Sequence, residues 1–369
     1  MSGVALKFTD TYSQYVEAPR SFLYASYMTA LGSMLSDHLT LQSEIRPEPR
    51  FYTVLVGDSA DDRKSTAGDL TLKFFRETFV DFESCGGIGS AEGLMKKLNQ
   101  LSNSGTRTAK LLLFFDEFKQ FVSKCKIDGS VLLPCVTTLF ESNRYESHTK
   151  TSSIDIDSAY LSIIACTTRE TFDSMWSGTF TDIGLNNRLF LVSGKGERRF
   201  AIPRTIPAAE KKKLQGWTAD ICTLAKDGLE MKIEDDAFDL YEQWYMGLER
   251  SVYSKRIDTY GLRFMPLLAL NDGKTAIDFE TVEKVITVMD WQLKVRRELT
   301  PIDADNEVAR MEQKIRRQLE NHGRSKRELQ QNTNANRAGT WLFKTALDNL
   351  VSAQEIRYDK QAKVYLQNM

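Results

Sequence analysis

The sequence predicts an α/β fold with a parallel sheet at its core, and three short apolar runs carry this prediction. They are residues 54–56, 110–115 and 160–166, and polar residues follow each run. The second run ends in five consecutive apolar residues, which is typical of a central parallel strand that is buried on both faces. Because the carboxyl ends of parallel strands meet at one edge, the polar residues there are expected to lie where open α/β sheets bind ligands.

The chain divides by its residue patterns into four segments. With 369 residues, it is long enough for two or three domains and a sizeable core. Pro203 and Pro207 mark the boundary between the α/β core and a more helical region. The expected segments are a helical N-terminal segment (1–48), the α/β core (49–203), a helical lid (204–300) and a small C-terminal domain (306–369).

The polar loop after the first apolar run has the composition of a nucleotide-phosphate loop. Such a loop needs free backbone N–H groups, a lysine that reaches the phosphates, and a hydroxyl for Mg²⁺ at the start of a helix. Lys64 and Ser65 fit the last two roles. The residues assigned to nucleotide contact are Gly57, Asp58, Ser59, Asp62, Arg63, Lys64, Ser65 and Thr66. The spacing is unusual, since Arg63 replaces the expected glycine and Gly57 comes one residue early, so an ordinary strand–turn–helix is the alternative.

Candidate catalytic residues follow the other two runs. Asp116 and Glu117 come directly after residues 110–115, where Asp116 could hold Mg²⁺ together with Ser65 and Glu117 could polarise an attacking water. A solvated acidic turn is the alternative. Thr167 follows the third run and could sense the γ-phosphate, although this threonine and its neighbour could instead cap the next helix.

Two arginines outside the loop are candidates for contact with a nucleotide phosphate. Arg188 is the first residue of a predicted fourth strand (188–192) that follows a flexible turn, and this position suits an arginine finger that reaches a neighbouring subunit's phosphate. Local pairing of Arg188 on the surface is the alternative. Arg263 lies in a helix of the lid and could return to the nucleotide as a second sensor, or could simply face solvent.

The C-terminal segment predicts a winged-helix domain. A charged helix (308–321), a short helix with a Ser325–Glu328 capping box, a second amphipathic helix (339–351) and a hairpin (356–366) follow in that order. Such domains usually place a helix in the DNA major groove, although a protein–protein module is the alternative. Trp341 is expected in the core. The expected DNA-phosphate contacts are Arg324, Lys326, Arg327, Arg337, Lys344, Lys360 and Lys363.

Composition limits the remaining classes of function. The net charge is −1, so DNA contact must come from local basic patches. Five scattered cysteines without a Cys-x-x-Cys pair, and three isolated histidines, indicate a reducing compartment and no zinc site. No apolar run approaches the roughly 20 residues of a membrane span. We therefore expect a cytoplasmic protein without a membrane partner.

Five segments together resemble a family of P-loop ATPases of unknown function that phages, plasmids and genomic islands encode beside primase or replication genes. The segments are residues 57–66, 89–94, 112–118, 132–134 and 185–190. The resemblance covers roughly residues 15 to 295, and the family tolerates an arginine before the loop lysine. It implies a hexamer-forming, helicase-like ATPase of the AAA+/RecA type, with ATP and Mg²⁺ as cofactors.

The resemblance also sets the expected function. We expect ATP hydrolysis at the subunit interfaces of a homo-hexameric ring to drive movement on single-stranded or forked DNA, with a primase or replication protein as a possible partner. An ATP-gated DNA-binding initiator, loader or regulator without unwinding activity would use the same residues. A degenerate ATPase that serves as a scaffold is a third possibility, against which the intact Lys64, Asp116 and Glu117 argue.

Overall fold

The chain forms two compact units, Met1–Leu299 and Thr300–Met369. The computed structural model describes residues 1–58, 61–103, 108–148, 153–175, 184–251, 253–299, 307–320 and 322–368. The first three segments expected from the sequence lie in the first unit, and the C-terminal segment lies in the second. None of the helices within these described ranges combines the length and the apolar character that crossing a bilayer requires.

A five-stranded parallel sheet organises the first unit and confirms the predicted α/β class. Strands of the unit are β1 (Leu39–Leu41), β2 (Tyr52–Val56), β3 (Ser84–Gly86), β4 (Ala109–Phe115), β5 (Tyr145–His148), β6 (Ser153–Ile156), β7 (Ala159–Thr167), β8 (Phe190–Ser193) and β9 (Leu229–Met231). The main sheet has the order β3-β4-β7-β2-β8. Two small sheets pair β1 with β9 in parallel and β5 with β6 in antiparallel.

The centre of the sheet is buried because β2 and β7 are apolar on both faces. Every residue of these two strands is buried. The register pairs Val56 with Thr167 on one side and with Ser193 on the other, so three strands end side by side. In the sheet, β3 lies to one side of β2, as the outermost strand, and β8 lies to the other side. The chain therefore leaves β2 toward one side of the sheet, and after β7 it crosses to the other side. This reversal makes the carboxyl end of β2 a topological switch point, where open α/β sheets bind ligands.

Helices cover the sheet and form most of the remaining first unit. The helices are α1 (Gly3–Ser13), α2 (Arg20–Leu35), α3 (Lys64–Thr78), α4 (Ala91–Ser102), α5 (Phe118–Cys125), α6 (Leu132–Glu141), α7 (Arg169–Met175), α8 (Ala208–Thr223), α9 (Asp235–Met246), α10 (Ile257–Asn271) and α11 (Phe279–Leu299). The buried helix α2 packs on β2, β4, β7 and β8. Phe8 of α1, Tyr27 of α2 and Phe74 of α3 join these helices through ring contacts of 4.9–6.2 Å.

The second unit has its own core and the element order that the sequence predicts. Its elements are α12 (Glu307–Leu319), α13 (Lys326–Asn332), α14 (Ala335–Ala338), α15 (Thr340–Ser352), β10 (Ile356–Asp359) and β11 (Val364–Gln367). The hairpin of β10 and β11 is antiparallel, and Arg324 forms a further bridge to Tyr365 of β11. Ile315, Leu329 and Phe343 are fully buried at the centre. The capping box between Ser325 and Glu328 is present.

Candidate functional site

The loop that leaves β2 turns into α3 through Arg63. This residue adopts a left-handed backbone conformation, with φ 47° and ψ 35°, immediately before the first helical residue. For a residue with a Cβ atom, this conformation costs about 1 kcal/mol or more, which is why glycine is favoured at such a position. The Arg63 guanidinium lies 3.3 Å from the Glu17 carboxylate. The unusual residue at position 63 is therefore compatible with the turn that the loop needs.

The Lys64 side chain reaches back across the loop. It is buried, with 8% of the residue exposed, and its Nζ donates to the carbonyl oxygens of Gly57 (3.1 Å) and Asp58 (2.6 Å). A loop lysine that binds phosphates must point along the loop in this way. The geometry therefore places the ammonium group over the start of the loop, beside the N–H groups that follow β2.

Asp62 fills the interior of the loop. Its carboxylate is buried and accepts hydrogen bonds from the backbone N–H groups of Asp58 and Gly196, the latter at 2.5 Å. A Cβ atom at Gly57 would lie 2.6 Å from Asp62 Oδ2. The early glycine in the sequence is therefore explained by the Asp62 side chain that packs against it, and Asp62 binds the loop's own backbone.

Four polar side chains from α3 and the end of β4 act electrostatically on Cys166 near the end of β7. The pKa of the Cys166 thiol is raised to about 12, chiefly by burial and then by the charge of Asp116, while Lys64 and a hydrogen bond from Ser65 oppose the rise. Burial and the charge of Asp116 also raise the pKa of Asp69. The structure thus brings Lys64, Ser65 and Asp116 together, with Asp69 as a second carboxylate.

The oxygen donors at this site suit Mg²⁺. Mg²⁺ is usually held by one or two protein carboxylates together with substrate phosphates and water. The Ser65 hydroxyl and the Asp116 carboxylate provide that set without a closed cage. Accordingly, the part of the chain that the structure describes contains no group of three or more His, Cys, Asp or Glu side chains that could hold a metal ion by itself.

Glu117 and Thr167 lie at the same edge of the sheet. Glu117 precedes α5 and accepts a long hydrogen bond of 3.4 Å from the Lys119 N–H group, so its carboxylate is only weakly engaged. Thr167 is buried, and its carbonyl oxygen accepts from the Gly57 N–H group at 3.3 Å. The Thr168 hydroxyl accepts from the N–H group of Thr171 and caps α7. The capping alternative therefore describes Thr168, while Thr167 contacts the loop.

Arg188 lies at the amino edge of the sheet, where the parallel strands begin, opposite the edge that carries the loop. It precedes β8, and its guanidinium donates to Glu141 Oε1 (3.1 Å) and to the Gly184 carbonyl oxygen (3.1 Å). Arg256 pairs with the same Glu141 carboxylate. Within one chain, Arg188 is therefore paired locally and remote from the loop, so a finger role would require a second subunit.

Arg263 does not lie at the phosphate loop of its own chain, which corrects the expected sensor role. It is buried and donates to the carbonyl oxygens of Arg50 (2.9 Å) and Phe140 (2.5 Å). Burial, and after it the charge of Arg50, lower the pKa of Arg263 to about 10. Arg50 precedes β2, and extended chain at about 3.3 Å per residue separates it from Gly57 by roughly 20 Å. Arg263 lies far from the loop because its helix, α10, packs on the amino edge of the sheet.

A segment after β8 lies against the loop, and sequence reasoning missed it. We call residues 194–200 the strap. A Cβ atom at Gly196 would lie 2.5 Å from the Asp61 carbonyl oxygen, so the two backbones are in direct contact. Arg198 pairs with Asp61 at 3.0 Å, and Glu17 accepts from the N–H group of Arg199 at 2.6 Å. Two glycines one residue apart, directly after a strand, were the available signal.

Two loop residues that the sequence assigned to nucleotide contact contribute little to the description of the site. Ser59 lies outside the described residues. Thr66 is exposed on the first turn of α3.

A cavity of about 570 Å³ lies far from the loop, at the amino edge of the sheet. Its polar lining includes Asp37, Glu48, Arg50, Glu141 and Tyr160. Burial raises the pKa of Glu48, and the Arg50 guanidinium 3.0 Å away opposes that rise. This cavity therefore does not coincide with the converging candidate residues.

The second unit carries the basic residues that the sequence assigned to DNA. Arg324 is half-buried and donates from Nε to the Gln318 carbonyl oxygen at 2.8 Å. The others are exposed: Lys326, Arg327, Arg337, Lys344, Lys360 and Lys363. Trp341 was expected in the core, but it is 64% exposed because it starts α15 on the face opposite Leu342 and Phe343, which are buried. The exposed tryptophan adds an aromatic surface beside the basic residues.

The chain was also compared with known proteins. No protein-family model matches it, and no curated protein matches it. Its function must therefore be inferred from its own residues and geometry.

Proposed function

We propose that this protein is a P-loop ATPase of the AAA+/RecA type that acts on DNA in a phage or mobile-element replication system. The observation that carries the proposal is the convergence of Lys64, Ser65 and Asp116 at a topological switch point. Numbered along the chain from β2, the five strands lie in the order 2-3-4-1-5. In this order the strand that leads into the loop lies beside the strand that ends at Thr167, which supports the proposal.

Each residue of the loop region has a role that fits its position. Lys64 and the loop N–H groups would hold the β- and γ-phosphates, and Ser65 and Asp116 would hold Mg²⁺. Mg²⁺, when bound, neutralises charge on the transferred phosphoryl group. Glu117 would orient and activate the attacking water, for which its weak bond to the Lys119 N–H group leaves it free to rotate. Thr167, packed against Gly57, would respond to the γ-phosphate through the loop.

Arg188 would act on a neighbouring subunit. Its place at the amino edge of the sheet excludes its own loop but suits a ring, in which this edge could face the next subunit's nucleotide. To do so, the guanidinium must leave Glu141, with which it pairs at 3.1 Å in the single chain. Hydrolysis would then depend on assembly, with a hexamer as the expected ring.

The second unit would be a winged-helix domain that binds DNA. Apart from the short helix α14, its helices and hairpin follow the winged-helix order, and its exposed lysines and arginines suit phosphate contacts. Contacts of this kind supply affinity without sequence preference. The domain would thereby hold single-stranded or forked DNA for the ATPase.

A second candidate function is an ATP-gated DNA-binding initiator, loader or regulator. The closed state of the loop favours it, because Lys64 and the Asp58 N–H group are both bonded inside the chain. Such a protein would assemble on ATP with little turnover. Unwinding of a forked duplex separates the two candidates, since only the helicase separates strands.

The test of the ATPase compares Lys64→Ala with Lys73→Ala. Lys73 lies on the same helix but is exposed, so it is the matched control. We expect Lys64→Ala to lower ATP turnover at least 100-fold, with or without single-stranded DNA, and Lys73→Ala to match the wild type. Both variants should keep the wild-type thermal unfolding midpoint within a few degrees. Wild-type-like hydrolysis by Lys64→Ala would disprove the phosphate-loop assignment.

A further inference from the structure

The loop's own carboxylate occupies donors that a phosphate would need. Asp62 is 3% exposed and binds the backbone N–H group of Asp58, directly after Gly57. Backbone N–H groups of a phosphate loop form an anion site. A carboxylate and a phosphate oxygen cannot accept from the same N–H group in the same place, and their charges repel each other.

The same carboxylate links the loop to the strap. Its other oxygen accepts from the Gly196 N–H group at 2.5 Å, and the strap continues to Glu17, which accepts from Arg199 (2.6 Å) and Phe200 (2.8 Å). Glu17 also pairs with Arg63 of the loop. Two buried carboxylates, Asp62 and Glu17, therefore hold the strap against the loop.

We propose that Asp62 is a gate of the phosphate loop, and that nucleotide binding displaces its carboxylate and releases the strap. This inference rests on the proposed function, because it names the regulation of that same site. The incoming phosphate takes the Asp58 N–H group, Asp62 turns away, and Gly196 loses its acceptor. Since Glu17 lies between α1 and α2, the released strap carries the nucleotide state to the helices that cover the sheet.

The gate weakens the apparent affinity for nucleotide, because only the fraction of molecules with an open loop can bind it. The apparent dissociation constant equals the intrinsic constant divided by that fraction. Asp62→Asn keeps the size of the side chain but replaces one acceptor oxygen with an NH₂ group, which cannot accept from an N–H group. The variant should therefore favour the open loop.

The experiment measures binding of a non-hydrolysable ATP analogue with Mg²⁺, and amide hydrogen exchange across residues 194–200. Asp81→Asn is the control, because Asp81 is an exposed aspartate outside both the loop and the strap. We expect Asp62→Asn to bind the analogue about tenfold more tightly than the wild type, and its strap amides to exchange faster without nucleotide. In the wild type, the analogue should speed the exchange of these amides. Asp81→Asn should resemble the wild type in both measurements.

A second variant keeps the proposal testable if Asp62→Asn does not fold. Gly196→Ala leaves Asp62 in place and pushes the strap away from the Asp61 carbonyl oxygen, so it should also speed strap exchange and tighten binding. If the wild type binds the analogue but its strap exchange does not change and neither variant binds more tightly, the gate is overturned while the ATPase stands. If the wild type binds no analogue, the proposed function itself fails.

Discussion

Charged side chains make different kinds of contact at the carboxyl edge and at the amino edge of the parallel sheet. At the carboxyl edge, Lys64 bonds to the backbone of the loop, Asp62 bonds to the backbone of both the loop and the strap, and Asp116 is exposed. At the amino edge, Arg263 and Arg296 are buried and donate to backbone carbonyl oxygens of distant segments. Arg296, for example, donates to the carbonyl oxygens of residues 253 (2.9 Å) and 255 (2.8 Å).

The difference separates candidate functional charges from structural ones. A buried guanidinium that satisfies carbonyl oxygens from separate segments joins them, and its removal leaves those oxygens unpaired at a cost of about 1–3 kcal/mol each. The charges at the carboxyl edge bond to the loop and the strap, and a ligand of the loop can replace these bonds with its own. We therefore expect substitutions at the amino edge to affect stability, and substitutions at the carboxyl edge to affect nucleotide binding.

The largest expected effect is on stability at the amino edge. Arg263→Met should lower the free energy of unfolding by about 3 kcal/mol, because the carbonyl oxygens of Arg50 and Phe140 lose their donor. Urea denaturation measures the change. Arg20→Met, at a half-exposed arginine, is the control and should change the free energy by less than about 1 kcal/mol. A loss below 1 kcal/mol for Arg263→Met would remove the distinction between the edges.

Arg188 tests whether the amino edge also has a functional charge. Arg188→Ala should lower turnover at least 100-fold while changing nucleotide affinity less than threefold, because a finger acts on the transition state of a neighbour. Arg256→Ala is the control, since Arg256 shares the Glu141 carboxylate.

Mixing Arg188→Ala with Lys64→Ala should restore turnover, since an intact loop would then meet an intact finger. Failure of the mixture to gain activity would confine Arg188 to its local pairing.

The pH dependence of the strap sharpens the comparison at the carboxyl edge. Hydrogen bonds from the N–H groups of Phe200 and Arg199, and the charge of Arg63, hold the pKa of Glu17 below its ordinary value. A lowered pKa means that the stabilisation is present above the ordinary glutamate range and is lost as pH falls through the folded-state pKa. The unfolding midpoints of wild type and Glu17→Gln should therefore differ at pH 7 and converge toward pH 3. A constant difference would show that the charge of Glu17 is not involved.

The smallest expected effect concerns the backbone of Arg63. Both Arg63→Gly and Arg63→Ala remove the ion pair with Glu17, so the difference between them reports the left-handed conformation alone. Arg63→Gly should be more stable than Arg63→Ala by about 1 kcal/mol, since glycine adopts this conformation without a steric cost. Chemical denaturation of the two variants measures it. Equal stabilities would mean that the loop relaxes when the side chain is lost.

The strands and the meeting of the loop with Asp116 could be predicted from sequence because their signals are local. The apolar runs 54–56, 110–115 and 160–166 lie within β2, β4 and β7. A run of apolar residues must be buried wherever it occurs, and parallel strands end at one edge. Lys64 and Asp116, which follow two such runs, therefore converge without any knowledge of the intervening chain. The capping box at Ser325 is local for the same reason.

The amino-acid sequence by itself determined the α/β class, the parallel strands, and the edge at which Lys64 and Asp116 meet. Only the tertiary structure decided that Arg263 joins the far end of β2, that Trp341 faces outward, and that Glu17 and the strap hold the loop. These features depend on contacts between residues that are distant in sequence, as between Glu17 and Arg199. No local pattern encodes such contacts, because each follows from how whole helices and strands pack.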